Sequence, residues 1–441
     1  MVTYFMDRMT QQKRPFKPIN RVETYVYWQG GLMITIGKTP QKVKAFFQPT
    51  KNKVSAHVYS YYCNLVLAIC ISHRSTIGRL VTLLRNTTHR TNHGEFLWRS
   101  EFDAMAVVKD QASGILKRLY NKRCKDCLLI LDDTQTIKRA KKMQAVGKIH
   151  HHATGTYRMG HTLLKACLFY RGVTIPLGSW LYVKKEHAKE LDIPFKKLTE
   201  LAGQIVLDAE IPDTFDVTVL FDAFYLCPAV VNACKKRQWR YIGVSKSNRW
   251  LTVNSIQHKV GKYGRNILAR TGRWYSIQGL RKTSRYKLAQ RVGTMNKLGR
   301  VKVVFSKRRN DRTVVALVTN DIGLSMKKIV SRYLKRWAIE VMIKEQKQHL
   351  GLGDYRVWRY RAIVRHLCLV DSAYACLAHV GIDDQRAQGD KNKTKDMLSV
   401  PPISQLKARM QQVLWRQEVQ NVIKVSHDKK VIRRLEKLLA A

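Results

Sequence analysis

Four residues that could act on a phosphate, Tyr333, Arg336, Glu340 and Lys347, recur at helical spacing. At about 100° per residue they fall within about 60° on one face of a predicted helix. A carboxylate beside two cations and a phenol suits a metal ion held against a phosphate. The alternative is a solvent-exposed face whose Arg336–Glu340 pair contributes a few tenths of a kcal/mol. This spacing alone leaves both interpretations open.

Two apolar stretches end in carboxylates. Residues 128–131 run into Asp132 and Asp133, and residues 217–221 run into Asp222. Short aliphatic and β-branched runs of this kind predict buried strands. A carboxylate at the end of a buried strand loses hydration, which a nearby cation or metal offsets. Each aspartate could instead cap the following turn. Strand alternation points Asp132 and Asp133 to opposite sides.

The charge of the chain limits its partners. The 441 residues contain 81 Lys and Arg against 31 Asp and Glu, a formal net charge of +50, with 45% hydrophobic residues. A chain with this hydrophobic content can form a buried core. The mutual repulsion of its positive charges predicts a polyanionic partner. Residues 223–310 contain no acid and 22 Lys and Arg, which indicates a surface facing nucleic-acid phosphates.

The sequence shows no run near the ~20 apolar residues that span a bilayer. Its N-terminus also lacks the pattern of a signal peptide, so we expect a cytoplasmic protein without a membrane partner. Nine cysteines in a long chain fit reduced thiols. Cys124 and Cys127 could form a zinc site with the histidines at 150–152, although a DNA-facing loop is the favoured interpretation of those histidines.

The pattern along the chain predicts an α/β protein with additions. Residues 57–71 and 75–84 predict two helices, either a helix-turn-helix or an ordinary helical hairpin. Strands and helices alternate from 128 to 245, and residues 246–312 predict a basic β-rich insertion. A hairpin with Asn310 and Asp311 in its turn returns to the main sheet. Predicted helices follow at 325–347 and 360–379, then a linker and a basic tail at 405–439.

These motifs resemble a known family. The spacing Tyr-x2-Arg-x3-Glu-x6-Lys of Tyr333, Arg336, Glu340 and Lys347 is similar to the YREK signature of bacterial insertion-sequence DDE transposases, the group named after insertion sequence four and its relatives. The Asp133-Thr134 pair resembles the first aspartate of that family, and Asp222 resembles the second. Further similarity lies in the stretch 160–177, at 348–353 and in Arg361, Arg365 and His366.

The resemblance implies a ribonuclease H-like catalytic core interrupted by a β-rich insertion, with a helical N-terminal DNA-binding region and a basic C-terminal helical tail. The expected bounds are 1–120 for the N-terminal region, 121–245 and 313–385 for the two parts of the core, 246–312 for the insertion, and 386–441 for the linker and tail. The surroundings of Asp222, Ala223-Phe224-Tyr225, depart from the basic or small residues common in relatives.

The resemblance also implies the chemistry. Asp133, Asp222 and Glu340 would be the catalytic metal ligands, with Asp132 as the alternative to Asp133. They would bind two Mg²⁺ ions, with Mn²⁺ as a substitute. The enzyme would cut the terminal inverted repeats of its own element and join the 3′-hydroxyl to target DNA. We expect a homodimer, because two ends must be brought together.

DNA contacts are expected from residues outside the carboxylates. Tyr333, Arg336 and Lys347 would hold phosphates beside the cut. Trp250 and Trp274 could stack on a base extruded during hairpin formation, or could pack the core of the insertion. The neighbouring Lys246 and Arg249 are also candidate DNA contacts.

Two other functions fit parts of the pattern. A domesticated nuclease would keep the metal site and lack strand transfer. A non-enzymatic nucleic-acid-binding protein would use only the charge, and it would give no role to Asp133, Asp222 or Glu340.

Overall fold

Helices flank a large mixed sheet in this protein. The computed structural model describes residue 36 and residues 39–85, 87–140, 142–151, 154–280, 282–387 and 397–425. Twelve strands lie in this described part. They are β1 (Asp126–Ile137), β2 (Gly147–His151), β3 (Thr156–Tyr170), β4 (Val173–Tyr182), β5 (Asp216–Phe221), β6 (Arg240–Ser245), β7 (Trp250–Val253), β8 (Ile256–Lys259), β9 (Arg273–Gln278), β10 (Thr283–Met295), β11 (Gly299–Arg308) and β12 (Val315–Thr319).

Thirteen helices lie in the same described ranges. They are α1 (Gln41–Lys51), α2 (Ala56–Ile71), α3 (Ile77–Val81), α4 (Arg90–Arg99), α5 (Ala104–Leu119), α6 (Lys185–Glu190), α7 (Leu198–Leu207), α8 (Pro228–Lys236), α9 (Val260–Thr271), α10 (Met326–Leu334), α11 (Trp337–His349), α12 (Tyr360–Ala387) and α13 (Ile403–Val425).

The sheet order is β2-β3-β1-β5-β6-β12-β11-β10-β7-β8, with β4 also paired to β3 and β9 to β10. Strand β1 runs antiparallel to β3 and parallel to β5, and β5 runs parallel to β6. The core of β1, residues 127–131, is fully buried. Such a continuous apolar strand is covered on both faces, as parallel strands usually are. The two apolar runs predicted as buried strands are confirmed.

Helix α12 is the central helix of the described chain. It packs against β4 and against α1, α2, α4, α5 and α13. One hydrophobic cluster therefore extends from Ile36 to Leu414, and it includes the described helices of the predicted N-terminal region. By length and composition Tyr360–Arg386 could cross a membrane, but 94% of its most apolar window is buried inside the protein, as expected of a core helix.

The predicted helix at 325–347 was wrong as a single element. The chain forms α10 and α11, separated by Lys335 and Arg336. Arg336 N donates to Tyr333 O and Ala338 N donates to Lys335 O, both i→i−3 bonds of about 2.9 Å. Such tight bonds mark a short 3₁₀-type turn within otherwise helical backbone. Trp337 is 48% exposed at this joint.

The predicted second helix at 75–84 is also shorter than expected. Only Ile77–Val81 is helical, because Leu84 leaves the helix to form a bridge with Ile36. Five residues rise about 7.5 Å, too short for a helix that reads a major groove. This helix-turn-helix interpretation is therefore wrong.

The region predicted as a β-rich insertion contains strands that extend the same sheet, together with the twelve-residue helix α9, which the pattern had not predicted. The hairpin of β11 and β12 is confirmed. Asn310 lies in its connection with a φ of 72°, a left-handed conformation that asparagine tolerates. Of the predicted basic tail, Ile403–Val425 is helical, and residues 426–441 lie outside the described ranges.

Candidate active site

Adjacent parallel strands bring two of the sequence-predicted carboxylates to one edge of the sheet. Ile130 of β1 pairs with Leu220 of β5, the last pair of that ladder. Continuing this register by two residues brings Asp132 level with Asp222, directly after β5. Residues level on neighbouring strands share a face. Asp132 is thus the member of the aspartate pair that lies on the same face as Asp222.

Arg336 connects the first strand to the helix that carries Glu340. Its Nη1 donates to Asp132 Oδ2 at 2.9 Å, and its Nη2 donates to Glu340 Oε1. The side chains of Asp132, Arg336 and Glu340 are between 14% and 23% exposed. Arg336 therefore pairs both with Glu340, its neighbour at helical spacing, and with Asp132 of the sheet. The three residues form a bridge between helix α11 and β1.

Asp133 has a different environment. Its Oδ1 accepts a hydrogen bond of 2.8 Å from the hydroxyl of Tyr225, a buried residue in the loop after β5. The same loop is shaped by Asp222, whose Oδ1 accepts from Phe224 N at 2.9 Å and from Tyr225 N at 3.3 Å. Asp222 thus has the capping role considered from the sequence, and it lies beside the other carboxylates as well.

The site concentrates negative charge in a poorly hydrated place. Burial is the main reason that the pKa of Asp132 rises from 3.8 to about 7; Glu340, Asp133 and Asp222 raise it further, and Arg336 opposes them. Burial also raises the pKa of Glu340, again against the effect of Arg336. One guanidinium therefore pairs with Asp132 and Glu340 while Asp133 and Asp222 lie nearby, and the excess of negative charge helps to raise the pKa of Asp132 and Glu340.

Tyr333 and Lys347 flank this cluster. Burial raises the pKa of Tyr333, and Asp222, Asp132 and Glu340 add to that rise, so its phenol lies beside the carboxylates. Lys347 is exposed, and its Nζ donates to Gln135 O at 2.9 Å, farther along β1. The structure brings the Tyr333, Arg336 and Glu340 side chains together. Lys347 lies outside this group and contacts β1 at Gln135.

Oxygen donors of the type that Mg²⁺ prefers are present, but not as a preformed cage. Within the described ranges, no three His, Cys, Asp or Glu side chains are arranged to hold a metal ion. Arg336 lies between Asp132 and Glu340 instead. The donor chemistry and the raised pKa values fit a divalent cation, because added positive charge would stabilise the ionised carboxylates.

The candidate DNA contacts of the basic segment lie at the surface. Trp250 is 50% exposed and Trp274 45%, so neither packs a core. Lys246 is exposed, and Arg249 Nη2 donates to Leu226 O in the loop that follows Asp222. Arg249 and Trp250 line a cavity of about 270 Å³. Arg249 links this segment to the loop that holds Asp222.

The histidine run and the cysteine pair give no zinc site within the described ranges. His150 and His151 lie on β2, and His152 lies outside the described residues. All nine cysteines are thiols, as expected of a reduced protein.

Tyr225 is the site residue that sequence reasoning missed. Its position three residues after Asp222 was noted only as a departure from relatives. A contact between residues 92 apart, such as Tyr225 to Asp133, leaves no periodic signal in the sequence. The parallel order of β1 and β5 could have suggested it, because the loop after β5 must pass the end of β1.

Comparison with known proteins supports the assignment of the fold. No curated protein matches the chain. Residues 63–295, more than half of the chain, match the family described as DDE superfamily endonuclease. The match includes Asp132, Asp133 and Asp222 and ends before Glu340. It begins inside α2, which agrees with the packing of that helix in the common core. The chain belongs to the DDE superfamily endonucleases.

Proposed function

We propose that this protein is a DNA transposase of the YREK-signature group, which cuts the ends of its own insertion sequence and joins them to target DNA. The observation that carries the proposal is the bridge from Asp132 through Arg336 to Glu340, beside Asp222. It joins the end of β1 to the YREK segment, which lies beyond the family match. The strand order β4-β3-β1-β5-β6 supports a ribonuclease H-like core.

The proposed catalytic carboxylates are Asp222, Glu340 and one of the aspartate pair. The resemblance favours Asp133 for the first ligand. The contacts favour Asp132, because it shares Arg336 with Glu340 and lies level with Asp222. We therefore propose Asp132 as the first ligand, with Asp133 and its partner Tyr225 fixing the end of β1 against the loop after β5.

Two Mg²⁺ ions, with Mn²⁺ as a substitute, would activate the attacking oxygen and stabilise the leaving oxygen when bound to these carboxylates. Arg336 would then be free to grip a phosphate bidentately, for which its planar guanidinium is suited. Lys347 is exposed and contacts β1 at Gln135, farther along the strand than the aspartates. It would hold a neighbouring phosphate as a point charge. Tyr333 would complete the phosphate-facing surface beside Glu340.

The proposed partners are the terminal inverted repeats, target DNA and a second copy of this chain. The surface charge favours DNA, since the described acid-free segment carries Lys246, Arg249, Trp250 and Trp274 at or near its surface. The corresponding location is the cytoplasm, with the enzyme associated with the nucleoid when it is bound to DNA. A domesticated nuclease would share the site and differ only in strand transfer.

Cleavage of a plasmid bearing the sequences that flank the reading frame tests the proposal. With Mg²⁺, we expect Asp222→Asn, Glu340→Gln and Asp132→Asn to lower the cleavage rate by on the order of 10² to 10³, the scale for losing one electrostatic stabiliser of a transition state. Asp133→Asn should lower it less than Asp132→Asn. The control Asp216→Asn changes an exposed carboxylate at the start of β5 and should cleave normally.

Three results separate the alternatives. Equal cleavage by the wild type, Asp222→Asn and Glu340→Gln would reject the catalytic assignment. A larger loss in Asp133→Asn than in Asp132→Asn would transfer the first-ligand role to Asp133. Cleavage without any joined product would identify a nuclease that lacks strand transfer.

A further inference from the structure

A second basic cavity lies beyond the carboxylates, at the far end of β1. It has a volume of about 650 Å³, within the range of small-molecule sites. Three segments that are distant in sequence line it: the turn between α2 and α3, the residues after β1, and the loop after α11. None of the residues assigned to the proposed catalytic site lines this cavity.

The cations of the cavity are available for a ligand. Arg74, Arg139 and Arg356 line it with exposed side chains, and within the described ranges none of them has a carboxylate in ion-pair distance. The acid of the lining, Asp354, is already engaged, because its Oδ2 accepts from Ser75 N at 3.1 Å. Three arginines with free guanidinium groups at one opening suit a phosphate group.

Hydrogen bonds hold the buried side chains that line the cavity in place. Lys138 is only 8% exposed; its Nζ donates to Gly353 O at 2.6 Å and to Tyr355 O at 3.0 Å, and it lies 3.2 Å from the centre of the Tyr355 ring. The hydroxyl of Tyr355 is hydrogen-bonded to Thr136 Oγ1 at 3.1 Å and to His161 Nδ1 at 2.7 Å. The loop after α11 is thus fixed to β1 and β3.

An aromatic side chain completes the lining. Trp358 is 63% exposed, although its backbone is fixed by a 2.9 Å hydrogen bond from Gln144 N to Trp358 O. Gln144 Oε1 also accepts from Tyr360 N at 2.6 Å. An exposed indole on a fixed backbone beside arginines is the combination by which proteins hold single-stranded nucleic acid, with a base stacked and the backbone neutralised.

We propose that this cavity binds one unpaired nucleotide of a DNA strand, with its phosphate at the three arginines and its base against Trp358. A concave cavity of this size admits a single base taken out of the stack, whereas a paired duplex could contact only its rim. The inference rests on the proposed function for its DNA substrate, but the site is separate from the carboxylates.

The distance to the carboxylates defines a path for the strand. Five to six residues of β1 separate the aspartate pair from Lys138, about 17 to 20 Å at 3.3 Å per residue. At the 3.4 Å per nucleotide of a strand in duplex DNA this corresponds to about five or six nucleotides, and to fewer where the strand is unpaired and extended. Lys347, whose Nζ contacts Gln135 O, lies between the two sites. One strand could therefore pass from the proposed cut, along Lys347, to the cavity.

Binding of a fluorescent 12-nucleotide single strand and of the matching duplex, measured by anisotropy in EDTA, tests this site without cleavage. We expect Trp358→Ala to weaken single-strand binding about tenfold, the scale for losing one stacked base. Arg139→Ala with Arg356→Ala should lower the slope of log affinity against log salt by about 0.7, the value for one lost phosphate contact on a single strand. Duplex binding should change much less in both variants.

Matched controls make the result specific. Trp415→Ala removes another half-exposed indole, and Lys44→Ala with Lys51→Ala removes two exposed charges elsewhere. Both should bind the single strand as the wild type does. Equal single-strand affinity of Trp358→Ala and Trp415→Ala would overturn the proposal, as would an equal loss for single strand and duplex. The binding assay contains EDTA and needs no cleavage, so failure of cleavage and failure of this site are distinguishable.

Discussion

Two charged clusters lie on one face of the same sheet and differ in how their charges are balanced. Asp132 of β1 is the direct partner of Lys165 on β3, so their side chains share a face. Lys165 is fully buried and pairs with the equally buried Asp371 of α12 at 2.5 Å. Helix α11 contributes to both clusters, with Glu340 in one and Gln346 in the other.

The Lys165 cluster has nearly complete pairing. Lys165 donates to Asp371 and to Ser179, Ser179 donates to Asp371 at 2.5 Å, and Gln346 Nε2 donates to Asp371 at 2.8 Å. In the described chain only Gln346 Oε1 of this group has no partner. One cation faces one anion here, whereas the Arg336 guanidinium pairs with two carboxylates, Asp132 and Glu340, and Asp133 and Asp222 add further negative charge nearby. The balanced cluster fixes α11 to the sheet, and the unbalanced one is suited to bind added cations.

Removing the lysine of the balanced cluster should have the largest effect on stability. Lys165→Met leaves Asp371 buried without a counter-charge, so the free energy of unfolding should fall by about 3 to 5 kcal/mol. Urea denaturation at pH 7 measures it. The double variant Lys165→Met with Asp371→Asn should recover much of the loss, because no charge remains unpaired. A Lys165→Met protein as stable as the wild type would show that the cluster does not hold the sheet and α11 together.

In a metal-free buffer, removing a charge from the unbalanced cluster around Arg336 should stabilise the protein, whereas removing one from the Lys165 cluster should destabilise it. The pKa of Asp132 is raised in the folded protein to about 7, so folding is favoured by its protonated form. The stability that this carboxyl contributes is complete below about pH 4 and is lost as the pH rises through about 7. Asp132→Asn, which cannot ionise, should therefore be more stable than the wild type at pH 8, by at most about 4 kcal/mol, and similar at pH 4.

Thermal and urea unfolding of both proteins between pH 4 and pH 8 provides the comparison. Asp216→Asn, at an exposed position, should follow the wild-type pH dependence. A wild type that gains stability relative to Asp132→Asn as the pH rises would contradict the proposed imbalance.

Tyr225 should produce a smaller change. Tyr225→Phe removes one hydrogen bond to the Asp133 carboxylate, so the free energy of unfolding should fall by about 1.5 kcal/mol. Tyr263→Phe, whose ring packs on His258 and Phe305, is the matched control and should change stability less. If both variants unfold alike, Tyr225 does not fix Asp133.

The sequence predicted those features that depend on local pattern. Residues 128–131 and 217–221 were identified as buried strands because continuous apolar runs at that length are typical of covered strands. Helical spacing correctly grouped Tyr333, Arg336 and Glu340, since backbone angles at Lys335 and Arg336 stay helical across the joint.

Other features depend on tertiary contacts. The break between α10 and α11 shows only in the i→i−3 hydrogen bonds, and α3 is shortened by the contact of Leu84 with Ile36. The choice between Asp132 and Asp133 requires strand register and the position of Arg336, neither of which periodicity contains. The basic cavity combines three segments that are far apart in sequence, so no single motif could predict it.

Metal binding tests most directly whether the unbalanced cluster is a catalytic site. Titration of Mn²⁺ into the DNA-free protein, followed by calorimetry and by the electron paramagnetic resonance signal of free Mn²⁺, counts bound ions. We expect the wild type and Asp216→Asn to bind Mn²⁺, and Asp222→Asn and Glu340→Gln to bind it at least about tenfold more weakly, the scale for altering the shell of a metal site. Equal Mn²⁺ binding by all four proteins would contradict the assignment of these carboxylates as the metal site.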